Sequence, residues 1–158
     1  MKSIVAIVAL LFLPIANADE KIQDRTVIVT RQDPEMLKAI EQAQASLGDF
    51  LKIKANPPKG ATAFKVKVKI TDSNVTEHMW VTPFRELDSG FVRTLADEPD
   101  YVHNVVNGQT LKFTRSDISD WGYELDGKQK GSFTVCVIFK HLPPAEVQKY
   151  RRDYGFEC

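Results

Sequence analysis

The run from Phe64 to Ile70 constrains the fold of this chain more than any other segment. Apolar residues alternate with lysines along it, which is the period-two pattern of a strand with one buried face and one solvent face. Asp72-Ser73-Asn74 is turn-forming, so Val75 to Val81 is predicted to return as the second strand of a hairpin. The lysines predicted to face solvent are Lys65, Lys67 and Lys69.

Two helices are predicted at the ends of the domain. The first begins with Asp33 as its N-cap and Pro34 in its first turn. It is predicted to pack an apolar face on the sheet, because apolar residues recur along it at helical spacing. These residues are Leu37, Ile40, Ala43, Leu47 and Phe50 or Leu51. The second helix is predicted from Pro143-Pro144 to about Tyr154, with Gly155 ending it.

The segments between these helices are typical of strands joined by short turns. They are Phe91 to Leu95, Thr110 to Thr114, Trp121 to Leu125 and Phe133 to Phe139. The last run is almost entirely β-branched or aromatic, so it is predicted to be a central strand buried on both faces. The order predicts an α+β fold, with an N-terminal amphipathic helix packed on a curved antiparallel sheet of about five to six strands and a short C-terminal helix.

The first 18 residues are predicted to be a signal peptide rather than part of the fold. Lys2 precedes an apolar run from Ile4 to Leu13, and Ala16-Asn17-Ala18 is an A-x-A site that predicts cleavage after Ala18. A membrane anchor is disfavoured because the apolar run is short and no cysteine follows the cleavage site. Residues 19–32 are then an N-terminal segment and residues 33–158 a single α+β domain. We therefore expect a periplasmic or secreted protein with no stable membrane anchor after cleavage.

The overall charge argues against nucleic acid as a partner, and the cysteine content predicts a disulfide. The chain has 21 basic and 21 acidic residues, so it carries no overall charge that would attract nucleic acid. Cys136 and Cys158 both follow the predicted signal peptide, and a pair of cysteines in an exported chain is expected to form a disulfide. The alternative, in which Cys136 is a buried thiol and Cys158 is free, stays open.

Ionisable and aromatic residues come together in three short runs. In Glu77-His78-Met79-Trp80, whichever face of the strand is buried draws one ionisable side chain towards the core, where pKa values shift. The run is either a ligand-contacting or acid–base pair, or part of a structural ion pair across the hairpin.

Asp97-Glu98-Pro99 precedes His103 without the spacing of a metal site, so no metal is predicted. Asp120 is predicted to form an Asx-turn with its own backbone, and Trp121 is predicted to be a core residue.

The three runs resemble those of the YegJ-like family of bacterial proteins, which is built on a domain of unknown function. The motifs that carry the resemblance are Glu77-His78-Met79-Trp80-Val81, Asp97-Glu98-Pro99 and Ile118-Ser119-Asp120-Trp121, within a region from Asp33 to Phe139. The family is expected to have Asn-Glu-Pro in the second motif. The resemblance implies a compact single domain, no established activity and, by analogy with related domains near toxin–immunity systems, a protein-binding role.

These observations favour an exported binding module that is not an enzyme. No G-x-S-x-G motif, glycine-rich phosphate loop or C-x-x-C pair is present, so we predict no catalytic residue and no cofactor. One alternative is a cell-envelope hydrolase that uses Glu77 or Glu98 with His78 as acid and base. The other is a structural or stress protein without a discrete site. The residues predicted to share one binding surface, with another protein as partner, are Glu77, His78, Trp80, Glu98, Pro99, His103, Asp120 and Trp121.

Overall fold

The computed structural model describes residues 33–96 and 98–158. The predicted signal peptide, the segment 19–32 and Asp97 lie outside these ranges. The division of the chain at residues 18 and 32 therefore stays a prediction.

Besides a 3₁₀-helix at Arg115–Asp117, the described part of the chain forms three α-helices and seven strands. In chain order they are α1 (Pro34–Ala55), β1 (Ala61–Asp72), β2 (Val75–Val81), β3 (Arg85–Leu87), β4 (Gly90–Thr94), β5 (Thr110–Phe113), β6 (Ile118–Leu125), β7 (Lys128–Gly131), α2 (Phe133–Phe139) and α3 (Pro144–Tyr154). All strand pairs are antiparallel. The α+β class and the short C-terminal helix are confirmed, whereas the single sheet of five to six strands is instead a four-stranded sheet, β2-β1-β6-β7, and a three-stranded sheet, β3-β4-β5.

Helix α1 begins as the sequence predicts. The Asp33 carboxylate accepts hydrogen bonds from the backbone N–H groups of Glu35 and Met36, at 2.8 and 3.2 Å, which satisfies two donors that the first turn leaves unpaired. At the start of the helix the buried face is shifted by one residue from the prediction, since Met36 is buried and Leu37 is 50% exposed. The buried residues are Met36, Ala39, Ala43, Leu47, Phe50 and Leu51, at spacings of three and four.

The core lies between α1 and one face of the four-stranded sheet. Phe50 of α1 stacks on Trp121 of β6 with ring centroids 4.9 Å apart. The predicted apolar face of β1 is confirmed, because Val66, Val68 and Ile70 are buried beneath the same helix. The solvent face is only partly as predicted: Lys67, on the opposite side of β1, is 1% exposed.

The run from Phe133 to Phe139 is a helix, so the prediction of a central strand is wrong. Gly131 and Ser132 both have positive φ angles, 75° and 55°, and turn the chain from β7 into α2. Apart from Thr134, which hydrogen-bonds Asp120, the run is apolar on more than one face, because α2 has apolar neighbours on two sides. Val137 and Ile138 pack against α1, whereas Val135 and Phe139 pack against α3 and the C-terminal tail.

The structure of the C-terminal segment agrees with the prediction from the sequence. Helix α3 stops at Tyr154, and Gly155 has the left-handed conformation (φ 71°) that a helix C-cap favours. Cys136 of α2 and Cys158 form a disulfide with their Cα atoms 5.4 Å apart, so the prediction of a bridge is confirmed. Among residues 33–96 and 98–158, no helix combines the length and apolar character needed to cross a membrane.

Candidate functional site

The register of the β1–β2 hairpin places Glu77 and His78 on opposite faces of the sheet. A turn of two residues, with Ser73 at a φ of 52°, pairs Asp72 with Val75. Glu77 then lies opposite Ile70 on the core face, and His78 lies opposite Lys69 on the other face. The two residues of the predicted acid–base pair are therefore not brought together.

Glu77 fixes the loop between β4 and β5. Its buried carboxylate accepts hydrogen bonds from the backbone N–H groups of three consecutive loop residues. The distances are 3.1 Å to Asp100 N, 2.9 Å to Tyr101 N and 3.3 Å to Val102 N. Both carboxylate oxygens are thus used to hold backbone, which is a structural role rather than proton transfer.

The residues 95–109, here called the β4–β5 loop, are tied to the hairpin tip and to one another. His103 N donates to the Asp72 carboxylate at 2.9 Å, and the Asn104 side chain donates to the Thr71 carbonyl at 2.9 Å. Within the loop, Asn107 N donates to the Glu98 carboxylate at 3.0 Å. Of the predicted surface residues here, Glu98 and His103 are exposed and Pro99 is buried.

A buried polar cluster lies on the other face of the sheet, beneath α2. The Asp120 carboxylate is fully buried and accepts four hydrogen bonds. The donors are the N–H groups of Trp121 (2.8 Å), Phe133 (3.2 Å) and Thr134 (2.8 Å) and the Thr134 hydroxyl (2.6 Å). The predicted Asx-turn of Asp120 is therefore only part of its role, because the same carboxylate caps the N-terminus of α2, thirteen residues further along the chain.

Lys67 completes this cluster through the Thr134 hydroxyl. Lys67 Nζ donates to Thr134 Oγ1 at 3.1 Å, and Thr134 Oγ1 donates in turn to Asp120. Burial lowers the pKa of Lys67 to about 8; Asp120 opposes this effect and Lys65 adds to it. Burial raises the pKa of the Asp120 carboxyl, against the effects of Lys67 and of the hydrogen bonds from Thr134 and Trp121.

The cluster has the composition of a base beside a hydroxyl, but substrates have no access to it. A lysine with a lowered pKa that hydrogen-bonds a hydroxyl can activate that oxygen as a nucleophile. Here Lys67, Thr134 and Asp120 are all buried between β1, β6 and α2. The arrangement therefore joins α2 to the sheet, and it supports no catalytic assignment.

His78 and Trp80 lie on the same face as this cluster. His78 Nδ1 forms a hydrogen bond of 2.8 Å with Ser119 Oγ, and the Ser119 hydroxyl also lies 3.2 Å from the Lys67 carbonyl oxygen. The ammonium groups of Lys65 and Lys67 lie 5.0 and 5.3 Å from the centre of the Trp80 ring, within cation–π range.

The eight residues predicted to share one surface are divided into three groups. His78, Trp80 and Asp120 lie on the α2 face of the sheet. Glu77 and Trp121 lie on the core face, where the Trp121 indole donates to the Ala43 carbonyl at 3.0 Å. The β4–β5 loop carries the remaining three, which are Glu98, Pro99 and His103. Whether any of them binds a partner stays a prediction.

The sequence does not identify Lys67 and Asp72 as residues that organise the fold. Lys67 belongs to an alternating lysine row, and nothing local in the sequence distinguishes it from Lys65 and Lys69. The sequence places Asp72 only in a turn, whereas in the structure its carboxylate also holds the β4–β5 loop. In the described ranges, no group of three or more His, Cys, Asp or Glu side chains is placed to hold a metal ion.

The free energy of unfolding is expected to depend on Lys67 at alkaline pH. Folded Lys67 loses its proton near pH 8, whereas the unfolded chain keeps it up to about 10.5. The unfolded state therefore binds more protons between these values, and this residue makes the free energy of unfolding rise with pH across that window. Urea unfolding at several pH values should show the rise in wild type and lose it in Lys67→Met.

Lys69→Met is the matched control for this prediction, because Lys69 lies on the same strand and is exposed. We expect its pH profile to run parallel to that of wild type. If the Lys67→Met and wild-type profiles are also parallel between pH 8 and 10.5, the assigned cause of the dependence is wrong.

Comparison with known proteins places the chain in a bacterial family. It is 32% identical over 151 residues to the Escherichia coli (strain K12) protein named "Uncharacterized protein YegJ", covering 96% of this chain and 97% of the relative. It is also 26% identical over 86 residues to a putative ankyrin repeat protein of Neisseria meningitidis serogroup B, covering 54% of this chain and 34% of that protein. No solved structure matches. Residues 33–158 match the family model described as "Uncharacterized protein conserved in bacteria (DUF2314)", which confirms the predicted resemblance and shows that this chain belongs to the DUF2314 family.

Proposed function

We propose that this chain is an exported binding module, without catalytic activity, that holds another protein at the β4–β5 loop. The observation that carries the proposal is the way this loop is fixed. Carboxylates of Glu77 and Asp72 hold its backbone from outside, and Glu98 holds it from within. Long irregular loops in compact domains are usually functional.

A fixed loop suits binding because little conformational entropy is lost when the partner docks. Tyr101 and Val106 project from it and are 42% and 50% exposed. Tyrosine is enriched in protein interfaces, where its ring supplies apolar area and its hydroxyl a hydrogen bond. The side chains that would contact a partner are therefore presented by residues whose backbone N–H groups are already held by hydrogen bonds.

Two further observations support parts of the proposal. The Cys136–Cys158 disulfide is consistent with export, because disulfides persist in oxidising compartments. A relative whose printed name includes "ankyrin repeat" gives weak support for a protein partner, since stacked repeats of that kind form binding surfaces. The hydrolase alternative gains no support, because the Glu77 carboxylate already accepts three backbone hydrogen bonds and lies on the opposite face from His78.

Substitution of the exposed loop side chains is expected to abolish partner binding. Tagged protein would be recovered from a periplasmic extract, and co-purifying proteins compared between wild type and Tyr101→Ala/Val106→Ala. We expect a partner that wild type retains and the double variant loses, together with a recovered chain that begins at Asp19 if export and cleavage occur as proposed.

Leu37→Ala/Leu87→Ala is the matched control, because these side chains are 50% and 40% exposed and lie on α1 and β3. It should retain the partner, with the fold of both variants checked by circular dichroism. Equal retention by all three proteins would show that the loop is not the binding surface.

A further inference from the structure

The end of the molecule that carries the β4–β5 loop is acidic, although the whole chain is balanced. Residues 98–109 contain Glu98 and Asp100 and no lysine or arginine. The hairpin tip, residues 71–76, contains Asp72 and no basic residue. Asp72 and Glu98 accept hydrogen bonds from backbone N–H groups, which leaves their negative charge in place, and neither has a Lys or Arg partner within ion-pair distance in the described part of the chain.

The same end concentrates exposed apolar side chains. Five large apolar residues are prominently exposed among those that the structure describes, and three of them are here. They are Val75 at the hairpin tip, 41% exposed, and Tyr101 and Val106 in the loop. Scattered exposed apolar residues need no explanation, but a group at one end of a domain is typical of an interaction site.

Hydrogen bonds join the segments that carry the acidic and the apolar side chains. Val75 is the pairing partner of Asp72, and Asp72 in turn holds His103 of the loop. Two residues before His103, the backbone N–H group of Tyr101 donates to the Glu77 carboxylate. The apolar side chains and the carboxylates of Asp72 and Glu98 therefore lie on two segments that are joined to each other, the hairpin tip and the β4–β5 loop.

We propose that this acidic end binds a protein surface on which lysine or arginine residues surround an apolar patch. The inference rests on the proposed function and names the class of partner. Opposite charges at the rim of an interface accelerate encounter and reject wrong partners, while the apolar centre supplies most of the affinity. The same carboxylates repel nucleic acid and anionic lipid, which have no opposite charge to offer.

A neutralised variant tests the charge component while keeping an acceptor for the backbone N–H groups of His103 and Asn107. Asp72→Asn/Glu98→Gln/Asp100→Asn keeps an acceptor oxygen at each position and removes three negative charges. The control Glu41→Gln/Asp49→Asn/Asp153→Asn removes three charges of the same residue types from exposed positions on α1 and α3. The two variants have the same net charge, so a difference between them reports where the charges lie and whether a basic side chain pairs with them, as Lys52 and Arg152 do in the control set.

Binding would be measured by fluorescence anisotropy with three short synthetic peptides, which alternate lysine with leucine, glutamate with leucine, or lysine with serine. We expect the lysine–leucine peptide to bind wild type and the control variant equally, and the neutralised variant about tenfold more weakly. Added salt should weaken the wild-type complex, because the charges involved are exposed. The other two peptides should bind weakly to all three proteins.

The outcomes separate this inference from the proposed function. Equal affinity of the neutralised and control variants for the lysine–leucine peptide, or equal binding of the glutamate–leucine peptide, overturns the basic-partner inference. So does preferential binding of wild type to anionic lipid vesicles or to DNA. If Tyr101→Ala/Val106→Ala still loses its extract partner while the neutralised variant keeps it, the loop binds a protein whose surface is not basic. If neither variant loses that partner, the proposed function fails as well.

Discussion

Replacing Asp120 with alanine is expected to lower the free energy of unfolding by about 3–5 kcal/mol, as for other buried charge pairs that lose one partner. The substitution leaves the N–H groups of Phe133 and Thr134 without the acceptor that caps α2. It also leaves Lys67 buried without its opposite charge. Urea unfolding at neutral pH, followed by circular dichroism, measures the change.

Two further variants make this prediction specific. Asp49→Ala removes an exposed carboxylate and should change the free energy of unfolding by less than about 0.5 kcal/mol. Asp120→Ala/Lys67→Met removes both buried charges and should be more stable than Asp120→Ala alone, since the stranded cation is gone. An Asp120→Ala protein as stable as the Asp49→Ala protein would contradict the assigned role of the cluster.

The elements that the sequence predicted correctly are those governed by local chemistry. Helix α1 starts where Asp33 can cap it and Pro34 fits the first turn, and both effects operate within four residues. The β1–β2 hairpin follows from alternation around a two-residue turn. In each case the signal lies in neighbouring residues, so no knowledge of tertiary contacts was needed.

The prediction of a strand at Phe133–Phe139 is wrong because contacts with other segments decide the structure of this run. Its β-branched and aromatic residues favour a strand, and continuous apolar runs do not distinguish a buried strand from a buried helix. The helix is favoured by the Asp120 cap from β6 and by packing on both α1 and α3. The misplacement of α2 also explains why Lys67, which α2 covers, was predicted to face solvent.

The separation of Glu77 from His78 follows from a register that the sequence already contains. Once Ser73 and Asn74 are taken as the two turn residues, pairing outward places Glu77 opposite Ile70 and therefore on the core face. The hydrogen bonds from the β4–β5 loop to Glu77 are different, since they join residues 23 to 25 positions apart. Nothing in the sequence around either segment indicates that pairing.

Removal of the disulfide by Cys136→Ala/Cys158→Ala is expected to lower the free energy of unfolding by about 3 kcal/mol. The bridge joins cysteines that are 22 positions apart, so in the unfolded chain it closes a loop and reduces conformational entropy. In the folded state it joins α2 to a tail that other contacts also hold. Phe156 is buried against α3, and Gln129 N donates to the Gly155 carbonyl at 3.0 Å.

These additional contacts let the experiment distinguish an effect on the unfolded chain from one on the folded tail. If the bridge acts mainly on the unfolded chain, as we expect, hydrogen exchange at the Gln129 amide should change no more than the global free energy of unfolding accounts for. Phe156→Ala is the comparison, because it removes buried packing of the tail and should increase exchange at Gln129 directly. Equal unfolding midpoints for the oxidised protein and the double-alanine variant would contradict the prediction, since the closed loop would then contribute nothing to stability.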